Sequence, residues 1–129
     1  MGYTLDRSFK GEAFETIVER TRAALAARGF GVLTEIDVKA TMKKKLDQDM
    51  DDYLILGACN PGMAHQAIGI EPRVGAMLPC NVIVRATSDD EIMVSAIDPV
   101  ASMQAIENGK LQSVAGTVRA MLEDVVVAI

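Results

Sequence analysis

A continuous apolar segment that runs directly into a helix start is the feature that most constrains how this chain can fold. Tyr53–Cys59, YLILGAC, has the length of one strand and no alternation with polar residues, which predicts a central strand covered on at least one face. Asn60 and Pro61 follow at once, and an asparagine cap with proline at the first helical position is a strong helix start. The backbone is therefore predicted to pass from strand to helix at Cys59.

Further strands and helices are predicted on both sides of this junction. Alternating or apolar runs predict strands over residues 3–7, 30–36, 79–86 and 91–97. Helical spacing and capping residues predict helices over residues 12–28, after Asp37, after Asp98 and from about residue 113. The elements thus follow one another as a strand, a long helix, four strands with short helical insertions and a final helix. This order favours an α+β domain. The length of 129 residues fits one domain over residues 1–129.

The charge of the chain argues against a nucleic-acid partner. The net charge is -5, whereas affinity for a phosphate backbone rests on clustered lysines and arginines. A local basic patch is formed by Lys39 and residues 43–45, but four aspartates follow it directly, at positions 47, 49, 51 and 52. Their charge offsets the patch, which is predicted to be a solvated helix face.

The apolar segments are too short to predict a membrane protein. The N-terminal MGYTLDRSF carries charges and lacks the apolar core of a secretory signal. No apolar run approaches the roughly 20 residues that span a bilayer. These features predict a cytoplasmic protein, and cysteines in that compartment are normally reduced thiols.

The residues with reactive side chains are concentrated in one segment. Cys59 and Cys80 are the only cysteines and His65 is the only histidine. A thiolate is favoured near a helix N-terminus, so Cys59 is a candidate reactive thiol, with Cys80 as a resolving thiol and His65 as a base or metal ligand. Asn60 and Asn81 flank the cysteines as possible donors to a small ligand, although capping already accounts for Asn60. Two cysteines and one histidine supply three of the four ligands usual for structural zinc.

The pairing of two strands decides whether the thiols meet. If the strands that carry Cys59 and Cys80 are antiparallel neighbours, the end of the first lies beside the start of the second. A parallel arrangement would place the thiols at opposite ends of the sheet. The alternative without a site is that both cysteines are small buried core residues and His65 is a partly exposed helix residue.

Several common enzyme motifs do not occur in the sequence. G-x-x-x-x-G-K-[ST], G-x-G-x-x-G, H-E-x-x-H and G-x-S-x-G have no match, so the sequence leans against an enzyme and leaves the identity of any cofactor unknown. The eight methionines form no Met-x-x-Met or Met-x-Met array. They are predicted to fill the core, since methionine suits irregular gaps.

Four segments together resemble one protein family. They are FGVLTEIDVKATMKKKLD, YLILGACNPGMAHQAI, VGAMLPCNVIV and SAIDP, and they resemble the domain-of-unknown-function family 302 over about residues 29–100. The CNP and LPC elements carry the resemblance, through Cys59, Asn60, Pro61, Leu78, Pro79 and Cys80. His65 lies where such sequences often have an alanine-and-histidine step. The resemblance implies a curved antiparallel sheet in an α+β fold similar to that of the TATA-binding protein, a homodimer, and no established activity.

These observations lead to one favoured function and two alternatives. The favoured function is binding of a small ligand, or handling of sulfur, at a thiol-containing site formed by Cys59, Asn60, His65, Cys80 and Asn81. One alternative is a non-catalytic homodimeric interaction or structural module. The other is a metal-binding protein that uses Cys59, His65 and Cys80.

Overall fold

A computed structural model of the chain describes residues 2–129 as a five-stranded antiparallel sheet with five α-helices. The strands are β1 (Thr4–Lys10), β2 (Gly31–Asp37), β3 (Tyr53–Cys59), β4 (Cys80–Ala86) and β5 (Glu91–Ile97). The helices are α1 (Phe14–Ala27), α2 (Val38–Leu46), α3 (Pro61–Ile70), α4 (Pro99–Ser102) and α5 (Gly109–Ala128), and a 3₁₀ helix covers Pro72–Met77. The predicted α+β class and element order are confirmed.

The strands lie in the order β1-β5-β4-β3-β2, and every neighbouring pair is antiparallel. β4 and β5 form the predicted hairpin, closed by a hydrogen bond from Thr87 N to Glu91 O of 3.0 Å. β1 crosses to the far side and pairs with β5, which leaves β1 and β2 as the two edges. Of the two arrangements that the sequence leaves open for β3 and β4, the structure has the antiparallel one.

One face of the sheet forms the core with helices α1 and α5. Alternate strand residues on this face are buried, among them Leu54, Leu56, Val82, Val84, Val94 and Ala96. Ile17 and Leu25 of α1 and Leu122 and Val125 of α5 are completely buried in the same cluster. Since side chains alternate between the faces of a strand, the residues between these form the opposite surface, which we call the open face.

The open face keeps apolar side chains in contact with solvent. Ile36, Ile55 and Ile83 lie in register across β2, β3 and β4. Ile36 is 48% exposed, and the other two are half-buried. A row of apolar side chains therefore crosses this face without being buried by the chain itself.

Capping residues fix most helix starts as the sequence predicts. Asp37 accepts a hydrogen bond from Ala40 N at 2.9 Å, and Asp98 accepts one from Val100 N at 2.9 Å. α1 ends as predicted, because Gly29 has φ +79° and Phe30 N donates to Leu25 O at 3.0 Å.

Three local predictions differ from the structure. α5 begins at Gly109 because Asn108 caps it by accepting from the backbone N–H of residues 110 and 111. In α2 the spacing of Val38, Met42 and Leu46 predicts a shared apolar face, but α2 buries none of its residues and Leu46 is 62% exposed. In α3 the sequence predicts a buried stripe of Ala64, Ala67 and Ile68, but Ile68 is 44% exposed, so the prediction is wrong at that residue.

Two arginines connect the first strand and first helix to the end of the last helix. Arg7 Nη1 donates to Val126 O at 3.1 Å, to Val127 O at 2.7 Å and to Ile129 O at 3.0 Å. Arg20 Nη2 donates to Ile129 O at 3.0 Å. Both guanidinium groups lie over the ring of Phe9, at 4.7 and 5.3 Å from its centre. The carbonyl groups at the end of α5 therefore accept hydrogen bonds from an arginine of β1 and an arginine of α1.

Across residues 2–129, every helix is either too short or too polar to cross a bilayer.

Candidate functional site

The passage from β3 into α3 places Cys59 beside the start of a helix. Cys59 is the last residue of β3, and the next residue, Asn60, is the N-cap of α3. Asn60 Oδ1 accepts from Met63 N at 3.3 Å, and Asn60 O accepts from Ala64 N at 2.9 Å. The predicted capping role of Asn60 is therefore confirmed.

The second cysteine opens the neighbouring strand. Cys80 is the first residue of β4, directly after the cis peptide bond between Leu78 and Pro79. Its partner in the β3–β4 ladder is Ala58, the residue before Cys59. The two cysteines thus lie at the same end of the sheet, as antiparallel neighbours require.

Gly57 lets three strands approach one another at this end of the sheet. A Cβ atom at position 57 would lie 2.8 Å from Pro79 Cγ and would overlap Thr34 Oγ1. Thr34 is the β2 partner of Gly57, so only a glycine leaves room for both neighbours. Sequence reasoning missed this requirement, although a glycine inside an apolar strand is a signal of close approach.

A small cavity lies next to the two cysteines. Its volume is about 40 Å³, which exceeds the roughly 10–15 Å³ that one water molecule requires. It lies between the main core cluster and a smaller cluster around α3 and the start of α5. Its walls are Phe30, Ala58, Cys59, Asn60, Met63, Ala64, Ala67, Leu78, Pro79, Cys80, Pro99, Met103, Val114, Ala115 and Val118. The two short motifs therefore form parts of the same wall.

The lining of this cavity is almost wholly apolar. Among the described residues, Asn60 is the single lining residue with an amide, carboxylate, hydroxyl, imidazole or cationic side chain. The oxygen of that amide already accepts the capping hydrogen bond. The cavity therefore offers thiols, thioethers and hydrocarbon to a guest, and it offers little to a charged group.

The two thiols differ in their surroundings. Cys80 is 8% exposed, whereas Cys59 is half-buried. Burial raises the pKa of the Cys80 thiol to about 11, and the charge of the neighbouring Cys59 raises it further in the same direction. At neutral pH the Cys80 side chain is consequently an uncharged thiol.

His65 does not join the cysteines. It is exposed on α3 and does not line the cavity. Successive helical residues are about 100° apart, so His65 and the buried Ala67 point in nearly opposite directions. Within residues 2–129, no group of three or more histidine, cysteine, aspartate or glutamate side chains is placed to hold a metal ion. The structure therefore does not bring together Cys59, His65 and Cys80, the set of the metal-binding alternative.

Asn81 is separated from the cavity by the sheet itself. It follows Cys80 in β4, so its side chain projects from the other face, and it is exposed. There it lines a shallow depression with Met77, Pro79 and Ile97. Of the five predicted site residues, Cys59, Asn60 and Cys80 share the cavity, whereas His65 and Asn81 lie outside it.

Several lining residues were not predicted from the sequence. They come from segments distant along the chain, and they include Phe30, Met63, Pro99, Met103 and Ala115. Met63 could have been found, because it lies three residues after the cap Asn60. Met103 and Ala115 carry no local signal, since their position depends on how α5 packs on α3.

Comparisons with known proteins agree with this architecture. A family described as "Domain of unknown function DUF302" matches residues 7–129. The crystal structure of an uncharacterized conserved DUF302 protein from Bacillus stearothermophilus is similar, with a TM-score of 0.91 and 20% sequence identity. The superposition covers 99% of this chain and 98% of that one. Among curated proteins, none matches the sequence significantly.

Proposed function

Since the chain belongs to the DUF302 family, whose description assigns no activity, we propose from its own geometry that it binds a small uncharged molecule in the cavity beside Cys59 and Cys80. The observation that carries the proposal is that residues of the CNP and LPC motifs, which are at least 17 positions apart in sequence, line one apolar cavity. Binding sites of this kind are mostly apolar with a few placed polar groups.

The lining supports the chemical class of the guest. A charged ligand would lose its hydration without gaining a partner, because the lining offers Asn60 and two thiols as its polar side chains among the described residues. The buried Cys80 thiol is uncharged at neutral pH because its pKa is raised to about 11. A small neutral or sulfur-containing molecule loses little hydration on entering the cavity, and it needs no charged side chain as a partner. In the cytoplasm, where we propose that the chain acts, both thiols would stay reduced.

Xenon is a suitable probe for such a cavity, because apolar cavities of proteins bind it. We expect xenon to shift the methyl NMR signals of Met63 and Met103, which line the cavity, in a saturable way. Ala115 is 2% exposed and lines the same space, so Ala115→Leu fills the cavity and should abolish the shifts.

The exposed Ala120 of the same helix offers a matched control. Ala120→Leu adds the same atoms outside the cavity and should leave the xenon shifts unchanged. The proposal fails if wild-type protein shows no saturable shift, or if folded Ala115→Leu protein keeps it. Native mass spectrometry of untagged protein then identifies any copurifying guest.

A second candidate function rests on the open face. We propose that this face joins two copies of the chain into a homodimer, so that the domain acts as an interaction module. The row of Ile36, Ile55 and Ile83 is uncharged, and two-fold symmetry would set it against itself. The charged residues Asp6 and Arg85 of the same face lie beside this row and not within these three positions. Five strands of seven residues present roughly 570 Å², near the roughly 600 Å² per partner of the smallest specific interfaces. The mass of the chain in solution tests this candidate directly.

A further inference from the structure

Among the described residues, Arg85 is the one half-buried arginine without an oxygen acceptor. Its guanidinium donates to Met93 Sδ at 3.7 Å, and a thioether sulfur is a weak acceptor. The other half-buried arginines of residues 2–129 donate to backbone carbonyls or pair with carboxylates. Because a charge that is withdrawn from water normally has hydrogen-bond partners, the donors of Arg85 are suited to an acceptor from another molecule.

Arg85 lies between two other side chains of the kinds that protein interfaces favour. Its ladder partners are Tyr53 in β3 and Met93 in β5, so the three side chains form a row across the open face. All three are half-buried. Tyrosine, arginine and methionine are enriched in interfaces, and tyrosine and arginine supply many of the strongest contacts there. We call these three residues the Arg85 row, and it runs beside the isoleucine row.

A depression lies on the other side of the isoleucine row. Its volume is about 280 Å³, and its lining includes Met77, Pro79, Asn81 and Ile97. Asn81 is exposed, so the oxygen of its side-chain amide is open to a donor from outside the chain. The open face thus carries a row with a free donor on one side and a depression with a free acceptor on the other.

The strand register makes these two features symmetric about Ile83. Arg85 lies two residues after Ile83, and Asn81 lies two residues before it, on the same face of β4. A two-fold axis along the isoleucine row reverses the strand direction of a second copy. Arg85 of each copy then lies opposite Asn81 of the other, as the equivalence of the two sides of a two-fold interface requires.

β5 repeats this symmetry. Met93 and Ile97 lie two residues on either side of Ser95, which is the ladder partner of Ile83. The same axis therefore sets Met93 of one copy against Ile97 of the other, an apolar contact beside the polar one. Packed sheets lie roughly 10 Å apart, a gap that a long arginine and a short asparagine bridge together.

We propose that two copies of the chain dock through their open faces about this axis, with the guanidinium of Arg85 in each copy donating to the side-chain oxygen of Asn81 in the other. The two equivalent bonds satisfy two cations that the described part of each chain leaves without an oxygen acceptor. The axis also sets Asp6 against its own copy, but Asp6 is exposed at the β1 edge, roughly 10 Å from Ile83, where water screens its charge. This inference rests on the proposed homodimer, and it names the residues that orient the two copies.

Sedimentation of the purified chain at a series of concentrations measures the dissociation constant of the dimer. Arg85→Ala should raise this constant by about 100-fold, since each of two hydrogen bonds to a charged group is worth at least about tenfold. Asn81→Ala should raise it to a similar extent. The double variant should be no weaker than the single ones, because both substitutions remove the same bonds. Arg28→Ala removes an exposed arginine at the end of α1, and this control should dimerise as wild type does.

Two results would overturn the pairing of Arg85 with Asn81. One is a folded Arg85→Ala chain that dimerises as tightly as wild type, and the other is a pair of losses that add in the double variant. If Arg85→Ala does not fold, Asn81→Asp decides: it should tighten the dimer, because a carboxylate accepts more strongly from a guanidinium than an amide does, and any other result overturns the pair.

The wild-type chain separates this inference from the dimer on which it rests. A wild-type chain that stays monomeric at every concentration overturns the dimer and the pair together. A dimer whose dissociation constant is unchanged by Arg85→Ala and by Asn81→Ala overturns only the pair.

Discussion

At the scale of single residues, the cysteines and the histidine show what a sequence can and cannot predict. Cys59 and Cys80 could be placed near each other because each lies at a strand end that local patterns mark. His65 could not be placed, because the direction of its side chain depends on which side of α3 packs on α5. The apolar residues of α3 occur around the helix, and the structure buries Ala67 while leaving Ile68 exposed.

The raised pKa of Cys80 predicts a stability difference at alkaline pH. The folded chain keeps this proton to a pKa of about 11, compared with an ordinary value of 9.0. The contribution of the neutral thiol is therefore complete below pH 9 and is lost as the pH rises to about 11. Over that range, we expect the free energy of unfolding of wild type to fall by up to about 3 kcal/mol more than that of Cys80→Ala.

Chemical denaturation at a series of pH values measures this difference. The comparison with Cys80→Ala removes the effect of the lysines and tyrosines that titrate in the same range. Parallel pH profiles for the two proteins would show that the buried thiol does not titrate as the structure indicates.

At the scale of elements, caps and strands were predictable while their close contacts were not. Asn60 and Asp98 each precede a proline, so their helices could be predicted from two residues. The apolar spacing predicts a start of α5 that is too late, because Asn108 and Gly109 precede the first apolar residue of that spacing. The need for glycine at position 57 involves β2, β3 and Pro79 at once, which no local pattern contains.

Gly57→Ala should destabilise the fold through this contact. The added Cβ would meet Pro79 Cγ at 2.8 Å and overlap Thr34 Oγ1, and overpacking of this kind costs about 1–3 kcal/mol. Adding Thr34→Ala removes the hydroxyl and should restore part of the loss. Urea denaturation measures both effects.

Gly69 offers a matched control for this substitution. It lies in α3, and a Cβ there would meet no atom within 4 Å, so Gly69→Ala should stabilise the chain by up to about 1 kcal/mol. Equal effects of alanine at positions 57 and 69 would contradict the close approach of the three strands.

At the scale of the whole molecule, the two faces of the sheet differ in how far the rest of the chain covers them. The helices bury one face, and the chain leaves the apolar row of Ile36, Ile55 and Ile83 in contact with solvent. Sequence alternation could predict that two faces exist. It could not predict how much of the second face remains uncovered, because this depends on where α2 lies, and α2 buries none of its own residues.

The dimer proposal makes a definite prediction of mass. The chain weighs 13.8 kDa, and light scattering should give twice that mass for wild type. Ile83→Lys places a charge at the centre of the open face and should give the mass of one chain. Ile68→Lys changes a residue that is 44% exposed on α3 and should remain dimeric. A wild-type chain that is monomeric at every concentration would rule out the dimer.

The contacts of Arg7 have a consequence for how the chain is made. β1 leaves the ribosome before the other described strands, yet its ladder partner is β5, and Arg7 donates to carbonyls near the end of α5, 119 to 122 residues later. Contacts between such distant segments form slowly because a long loop must close first. During synthesis, β1 therefore stays unpaired until β5 has been translated, and Arg7 stays without these acceptors until α5 has been translated.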